Sequence, residues 1–258
     1  LAGAGTHFGV SLEDATRTPP ADLDAALEVT LATGAEWITI CDTVGEMTPR
    51  GTHALVDHVR EVVEARRPAV RLVWHGHNDK GLALANALAA ADAGVHVISG
   101  AFLGIGERAG NTALEQVLMA LAQAGSTRYR LDGIPAYCRR LAEYTRTDVA
   151  LNAPLVGRQV FATCTGTHSA AILKARALGR DFEDLVFSGV PAHALGRRQE
   201  ILIGPTSGLA NVRHGLEDLG VSAPEGVMRR LLEYAKTRDA WLGPEDVRAF
   251  LAGPVEAA

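Results

Sequence analysis

The feature that most constrains this chain is a repeated order of textures. Over the first 125 residues a short apolar run gives way to a polar or glycine-bearing turn, then to a helical pattern, and then to another apolar run. The runs at 7–10, 37–41, 69–73 and 95–99 read as strands bounded by turn residues. Between them, apolar residues fall three and four apart. Leu23, Ala26, Leu27 and Leu31 predict a helix over 21–33 that Gly34 stops, and Leu55, Val56, Val59, Val62 and Val63 predict one over 49–65. Further helices are predicted over 82–93 and 112–124. Parallel strands need long crossover connections, usually helices, so strict alternation predicts an α/β fold with a parallel sheet.

The same order places the polar clusters. Ser11 with Glu13, Asp42 with Thr43, His75 with His77, and the loop 104–111 each follow the carboxyl end of a predicted strand. Ligands bind at that end in parallel α/β folds. Residues two apart in a strand share a face, so His75 and His77 present two imidazoles side by side. Neutral imidazole is a common ligand of divalent metals, and four successive strand-end clusters favour that reading over a pair of hydrogen-bonded surface histidines. Asn111 offers an amide oxygen as a third ligand or, alternatively, an N-cap for a helix starting at Thr112. Zn, Mn and Mg all remain open for two imidazoles with oxygen donors, and an open site of this kind suits a chelating 2-oxoacid whose keto carbon the metal polarises. Glu13 reads either as a base or as a partner of Arg17. The series Gly104-x-Gly106-x-x-x-Gly110 misses the dinucleotide spacing by one residue. It reads better as a tight loop that lets Glu107, Arg108 and Asn111 point into the strand-end cavity.

Beyond residue 125 the segments shorten. Helices are predicted over 134–144, 167–178, 209–219, 225–237 and 244–251, with one brief strand over 200–203. A boundary near 125–133 thus separates an α/β domain, 1–125, from a mainly helical subdomain, 126–258. His168 lies near the start of one of these helices, where capping or surface roles compete with catalysis. Hydrophobic residues make up 47% and charged residues 21%, enough for a sizeable core. The net charge of -5 and dispersed Lys and Arg argue against nucleic acid and for a small-molecule partner. Cys41, Cys138 and Cys164 are few, far apart and odd in number, which argues for a reducing compartment. No apolar run reaches the ~18 residues of a membrane span and no signal-like segment opens the chain, so no membrane partner and a cytoplasmic location are expected. The chain starts at Leu1 and is strand-like within ten residues, which suggests a fragment.

Taken together, Ser11-Leu12-Glu13-Asp14-Ala15-Thr16-Arg17, Asp42-Thr43-Val44-Gly45, His75-Gly76-His77-Asn78-Asp79 with Gly81, and Gly104-Ile105-Gly106-Glu107-Arg108-Ala109-Gly110-Asn111 resemble the DRE-TIM metallolyase (HMGL-like) family in order and spacing. The likeness is to its Claisen-condensing branch, the 2-isopropylmalate and homocitrate synthases. It continues through Gly166-Thr167-His168-Ser169, Val190-Pro191-Ala192 and Ile203-Gly204-Pro205-Thr206-Ser207-Gly208. The resemblance implies a (β/α)8 TIM barrel, present here as its carboxyl-terminal part, followed by a mainly helical subdomain. It implies an acyltransferase that condenses acetyl-CoA with a 2-oxoacid and hydrolyses the thioester. His75 and His77 are implied as metal ligands, with Asn111 in or beside the metal shell. Glu13 is implied in catalysis, Ser11 and Thr43 at the oxoacid pocket, and Arg17 there as a support, like Asp42 and Glu107. His168 is implied as an acid/base group reaching a partner's active site, which makes a domain-swapped homodimer.

Two departures from the family pattern stand out. The Arg-Asp-Gly motif of its first strand is missing, so the chain is expected to begin at about the fourth strand. It is then expected to be inactive without the preceding strands, or to act as a non-catalytic or regulatory partner of a complete homologue. Phe187 stands where relatives place a Tyr, which removes a hydroxyl from one proton-transfer contact. The lyase branch fits less well, because its mobile cysteine-bearing loop has no counterpart near 104–111. With no leucine-regulatory domain expected, the reading leans towards a homocitrate-type or unregulated enzyme.

Overall fold

A computed structural model describes residues 6–126 and 128–253. The chain divides into two compact units, Leu1–Tyr129 with Arg140–Arg146, and Arg130–Arg139 with Thr147–Ala258.

The first unit holds strands β1 (Gly9–Leu12), β2 (Trp37–Asp42), β3 (Arg71–Gly76) and β4 (Val97–Ser99), with helices α1 (Pro20–Ala32), α2 (Pro49–Arg66), α3 (Ala83–Asp92) and α4 (Leu114–Gln123) following them in turn. Pro20 and Pro49 open their helices, where a missing N–H is harmless. The Thr48 hydroxyl caps α2 by accepting the Gly51 N–H at 3.2 Å. Gly34, at φ 87°, takes the left-handed conformation that ends α1.

All four strands pair in parallel in the order β1-β2-β3-β4. A doubly wound sheet reverses its order at a switch point, whereas sequential order is that of a barrel. This unit is therefore part of a (β/α)8 barrel. Alternation along the strands sorts the side chains. Ile38, Ile40, Leu72 and Trp74 are all but fully buried and pack with Leu23, Leu27 and Leu31 of α1, Val56, Val59 and Val63 of α2, and Ala87 and Ala90 of α3. The register sets Ser11, Thr39, Val73 and Val97 in one row on the opposite face, and Cys41, His75 and Ser99 in the row nearer the carboxyl ends. Hydrophobic burial against the helices thus fixes which residues point the other way; a one-residue slip would bury His75 and expel Trp74.

The second unit is mainly helical. Helix α5 (Ile134–Thr145) is shared between the two units. It is followed by α6 (Gly166–Arg176), α7 (Arg180–Leu185), α8 (Leu209–Asp218), α9 (Glu225–Lys236) and α10 (Pro244–Ala252). Val212, Leu216, Leu231, Leu232, Ala235 and Val247 form a core of the last three. A two-stranded parallel pair, β5 (Ala162–Thr163) with β6 (Glu200–Ile201), accompanies them. The sequence suggests a strand over 200–203 but gives no hint of its partner, because two residues are too few to show a period. Helix α7 and the 3-10 turn Ala192–Leu195 are also absent from the periodicity.

Candidate functional site

The carboxyl ends of β1 to β4 carry the polar clusters singled out in the sequence. His75 lies within β3, and His77 stands one residue beyond it, in an antiparallel bridge with Asn111. The two imidazoles are edge to face, with centroids 5.1 Å apart. The loop 104–111 is stitched to the end of β3 on both sides of that bridge: Asn78 N–H donates to Gly110 O at 2.9 Å, and Thr112 N–H donates to Gly76 O at 3.0 Å. Gly110, at φ 89°, could not be replaced without strain, since a Cβ there would stand 2.0 Å from Gly104 O.

Three side-chain atoms in this cluster are buried without a hydrogen-bond partner: His75 Nδ1, His77 Nδ1 and Asn111 Oδ1. Native structures rarely leave such atoms unpaired, and a bound ion is one of the few explanations. Burial, and next the neighbouring His77, push the His75 imidazole below its ordinary range, against the Ser99 backbone and the charge of Glu13. The ring is held neutral, with a lone pair to offer. The donor set therefore fits a divalent cation. Among the described residues no group of three or more His, Cys, Asp and Glu could hold a metal, and the third unpartnered atom beside the two imidazoles is the oxygen of an amide.

The β1 and β2 ends form a hydrogen-bonded relay. Thr43 Oγ1 donates to Glu13 Oε2 at 2.9 Å and accepts the Asp14 N–H at 2.8 Å. Ser11, near the end of β1, and Glu13, in the turn that follows, are both exposed. Asp42 is fully buried and accepts the Thr16 hydroxyl and the Glu46 and Met47 amides, which fixes the turn after β2. Cys41 faces the same interior as His75, and burial with the charge of Glu13 pushes its thiol up to about 11.

Several expectations change. Arg17 pairs with Asp14, through two bonds of 2.7 Å, and not with Glu13. Asp14 adopts φ 57° in the turn after β1, and its carboxylate meets Arg17 while Glu13 meets Thr43. Asn111 is no N-cap: α4 begins at Leu114 behind Ala113, and the Asn111 amide donates instead to Ile105 O at 2.8 Å. Glu107 does not point into a cavity, since its side chain is 85% exposed. Arg108 reaches sideways to Asp79 and to the Thr43 carbonyl. Glu115, 2% exposed and accepting the Leu103 N–H at 2.9 Å, is a buried carboxylate that the helical pattern hides as an ordinary surface position.

His168 belongs to the second unit, in the first turn of α6. Its ring stacks on Phe187 with centroids 3.9 Å apart and planes 19° from parallel. Phe187 itself adopts φ 56° and is exposed. In the same unit the buried Asp184 carboxylate accepts the His193 ring and its backbone N–H.

Parallel strands in sequential order, with paired imidazoles and an amide gathered at their carboxyl ends, define a barrel of the class that carries its polar cluster at the strand ends. Residues 2–137, more than half of the chain, match the HMGL-like family, and the chain belongs to it. Homocitrate synthase AksA of Methanopyrus kandleri is 33% identical over 246 residues, which are 95% of this chain and 58% of that protein. The 2-isopropylmalate synthase of Methanocaldococcus jannaschii is 30% identical over 249 residues, 95% of this chain and 45% of that one. A solved HMG-CoA lyase of Bacillus subtilis is 25% identical with a TM-score of 0.47, covering 57% of this chain and 53% of its own. The chain spans about half the length of the curated relatives it matches. Among the described residues no helix is long and apolar enough to cross a membrane.

Proposed function

We propose that this chain supplies the metal-binding half of an acyl-CoA:2-oxoacid C-acyltransferase site of the homocitrate and 2-isopropylmalate synthase type. The observation that carries the reading is the trio of buried, unpartnered donors at His75, His77 and Asn111. These residues would hold a divalent cation (Zn, Mn or Mg), whose chemistry is to bind the oxoacid and draw electrons from its keto group.

In the reaction the methyl group of acetyl-CoA loses a proton, its carbon bonds to the keto carbon of the oxoacid, and the keto oxygen gains a proton. Water then cleaves the thioester to release CoA and a hydroxy acid with one carboxylate more than the oxoacid. Glu13, held by the Thr43 hydroxyl, is positioned to exchange a proton at the mouth of β1, with Ser11 and Thr43 at the oxoacid and Arg17 bracing the loop through Asp14. His168 would move a proton as acid or base in the site of a second copy. Support for a paired chain comes from Leu178, Phe182, Leu185 and Phe187, large apolar side chains left more than half exposed around α7. With four strands of the barrel described, activity is expected only when further strands complete it.

The test is acceptor-dependent thiol release from acetyl-CoA. The chain is joined to the amino-terminal strands of the Methanopyrus kandleri relative, loaded with Mn or Zn, and given a panel of 2-oxoacids. One preferred acceptor is expected. A folded, metal-loaded preparation that releases no thiol with any acceptor would overturn the reading. Size measurement by ultracentrifugation checks the dimer.

A further inference from the structure

Arg108 is an outlier with no place in the chemistry above. It is a long, branched-headed residue held at φ 55°, in the left-handed region that side chains normally avoid. Such strain persists only where the surroundings over-determine it, and it concentrates at functional sites. Its guanidinium shows what holds it. Nε donates to Asp79 Oδ1 at 2.8 Å, while Nη2 donates to Asp79 Oδ2 at 3.2 Å and to the Thr43 carbonyl at 2.6 Å. One side chain thus ties together the segments that follow β2, β3 and β4.

Each tied segment carries a site residue. Thr43 holds Glu13 through its hydroxyl, and its carbonyl is the one Arg108 grips. Asp79 is two residues beyond His77. Arg108 is three residues before Asn111, whose backbone N–H donates to Gly104 O at 2.9 Å. The segments also touch without slack: a Cβ at Gly45 would lie 2.8 Å from both Asp79 N and His77 O. The fork of two bonds to one carboxylate fixes direction as well as distance, which a lysine could not do.

We infer that Arg108 is a positioning residue, a clasp across three strand-end segments that keeps Asn111 against His77 and so sets the affinity of the site for a divalent cation. This rests on the proposed metal role of His75, His77 and Asn111. The clasp leaves the cation untouched and acts through the loop that presents Asn111. Supporting groups around metal ligands typically govern 10–100-fold in affinity, and Arg108 is expected to fall about in that range.

The experiment uses the 258-residue chain and two readouts. Mn affinity is measured by titration calorimetry, and amide exchange of Asn78, Asn111 and Thr112 is followed without metal. Arg108→Gly removes the guanidinium while relaxing the left-handed backbone, so its effect cannot be blamed on strain. Arg108→Lys retains charge without the fork. Expected are Mn binding about tenfold or more weaker in Arg108→Gly, partial recovery in Arg108→Lys, faster exchange at the three amides, and an unchanged melting transition. Unchanged exchange and unchanged affinity in Arg108→Gly would overturn the clasp, as would full recovery by lysine. The His75→Ala/His77→Ala variant separates the two ideas. If it binds Mn like the parent, the metal reading itself fails; if it loses Mn while Arg108→Gly keeps it, only the clasp fails. Should the parent chain bind no Mn, slower or unaltered exchange in Arg108→Gly would still refute the clasp.

Discussion

Replacing His77 by Leu should not destabilise the metal-free chain, although it removes a residue from the centre of the site. The His77 Nδ1 atom is buried without a partner, and burial of an unsatisfied polar atom costs about 1–3 kcal/mol. Leucine has no such atom and a similar volume; imperfect fit of a volume-conserving swap costs under about 1.5 kcal/mol. The net change then runs from about -0.5 to about 3 kcal/mol in favour of the variant, or roughly -2 to 12 °C in melting temperature for a chain of this size. The same substitution removes a proposed ligand. A cation at a hundred times its dissociation constant raises the parent's stability by about 2.7 kcal/mol, and should raise the variant's by much less. The assay is thermal unfolding in EDTA and across a Mn titration. His96→Leu is the contrasting control: His96 Nδ1 accepts the Leu72 N–H at 3.1 Å, so its loss strands a strand amide and should cost about 1 kcal/mol. The reasoning is refuted if His77→Leu melts well below the parent in EDTA, or if it keeps the parent's full response to Mn.

Three more outcomes follow from particular contacts. Burial raises the Glu115 carboxyl above its ordinary value, so the folded chain holds that proton more tightly than the unfolded chain does. Its contribution to stability is complete below the unfolded-state value near 4.5 and is lost as pH rises through the higher folded-state value. Glu115→Gln should therefore gain stability over the parent as denaturation midpoints are compared from pH 4 towards neutrality; a constant difference would contradict it. Asn211, fully buried, donates to Cys164 O, Ser169 Oγ and Leu202 O and accepts the Gly208 N–H. Asn211→Ala should lower the stability of the second unit by more than about 2 kcal/mol, read from its denaturant midpoint. Alkylation by iodoacetamide at pH 8 should label Cys164, which is half-buried, well before Cys41 and Cys138, which are 1% exposed. Mass mapping that finds Cys41 labelled first would contradict the buried placement.

The first unit was legible in the sequence because its two periods are enforced by burial. Ile38 and Ile40, or Leu72 and Trp74, must face the helices, and that alone sends Cys41, His75 and His77 to the other side. Both ends of β1 and β3 and the start of β4 lie two or three residues later than expected, while β2 starts at Trp37 as expected and ends one residue later. Predicted over 69–73, β3 runs Arg71–Gly76, because pairing with β2 continues through Asp42 to the end of the histidine motif. The second unit was less legible. Its β5–β6 pair joins residues about 38 apart in the chain, and segments as short as these strands and α7 have no periodicity of their own.

The polar residues divide along a similar line. Identity and spacing were enough to gather Glu13, Thr43, His75, His77 and Asn111 at one end of one sheet, because each follows a strand whose direction is fixed by the helices. Which polar atom meets which was not readable, since it turns on backbone conformations that sequence leaves open. Asp14 at φ 57° hands Arg17 to itself and leaves Glu13 to Thr43; Arg108 at φ 55° swings away from the cavity to Asp79. Both residues sit next to a glycine-free or glycine-rich turn that gives no warning of the sign of φ. The consequence is physical. Most of the charged side chains in the strand-end motifs neutralise one another, Arg17 with Asp14 and Arg108 with Asp79. The atoms left without a hydrogen-bond partner are neutral ones, His75 Nδ1, His77 Nδ1 and Asn111 Oδ1, and the proposed capacity of this end of the sheet to bind rests on them more than on any charge.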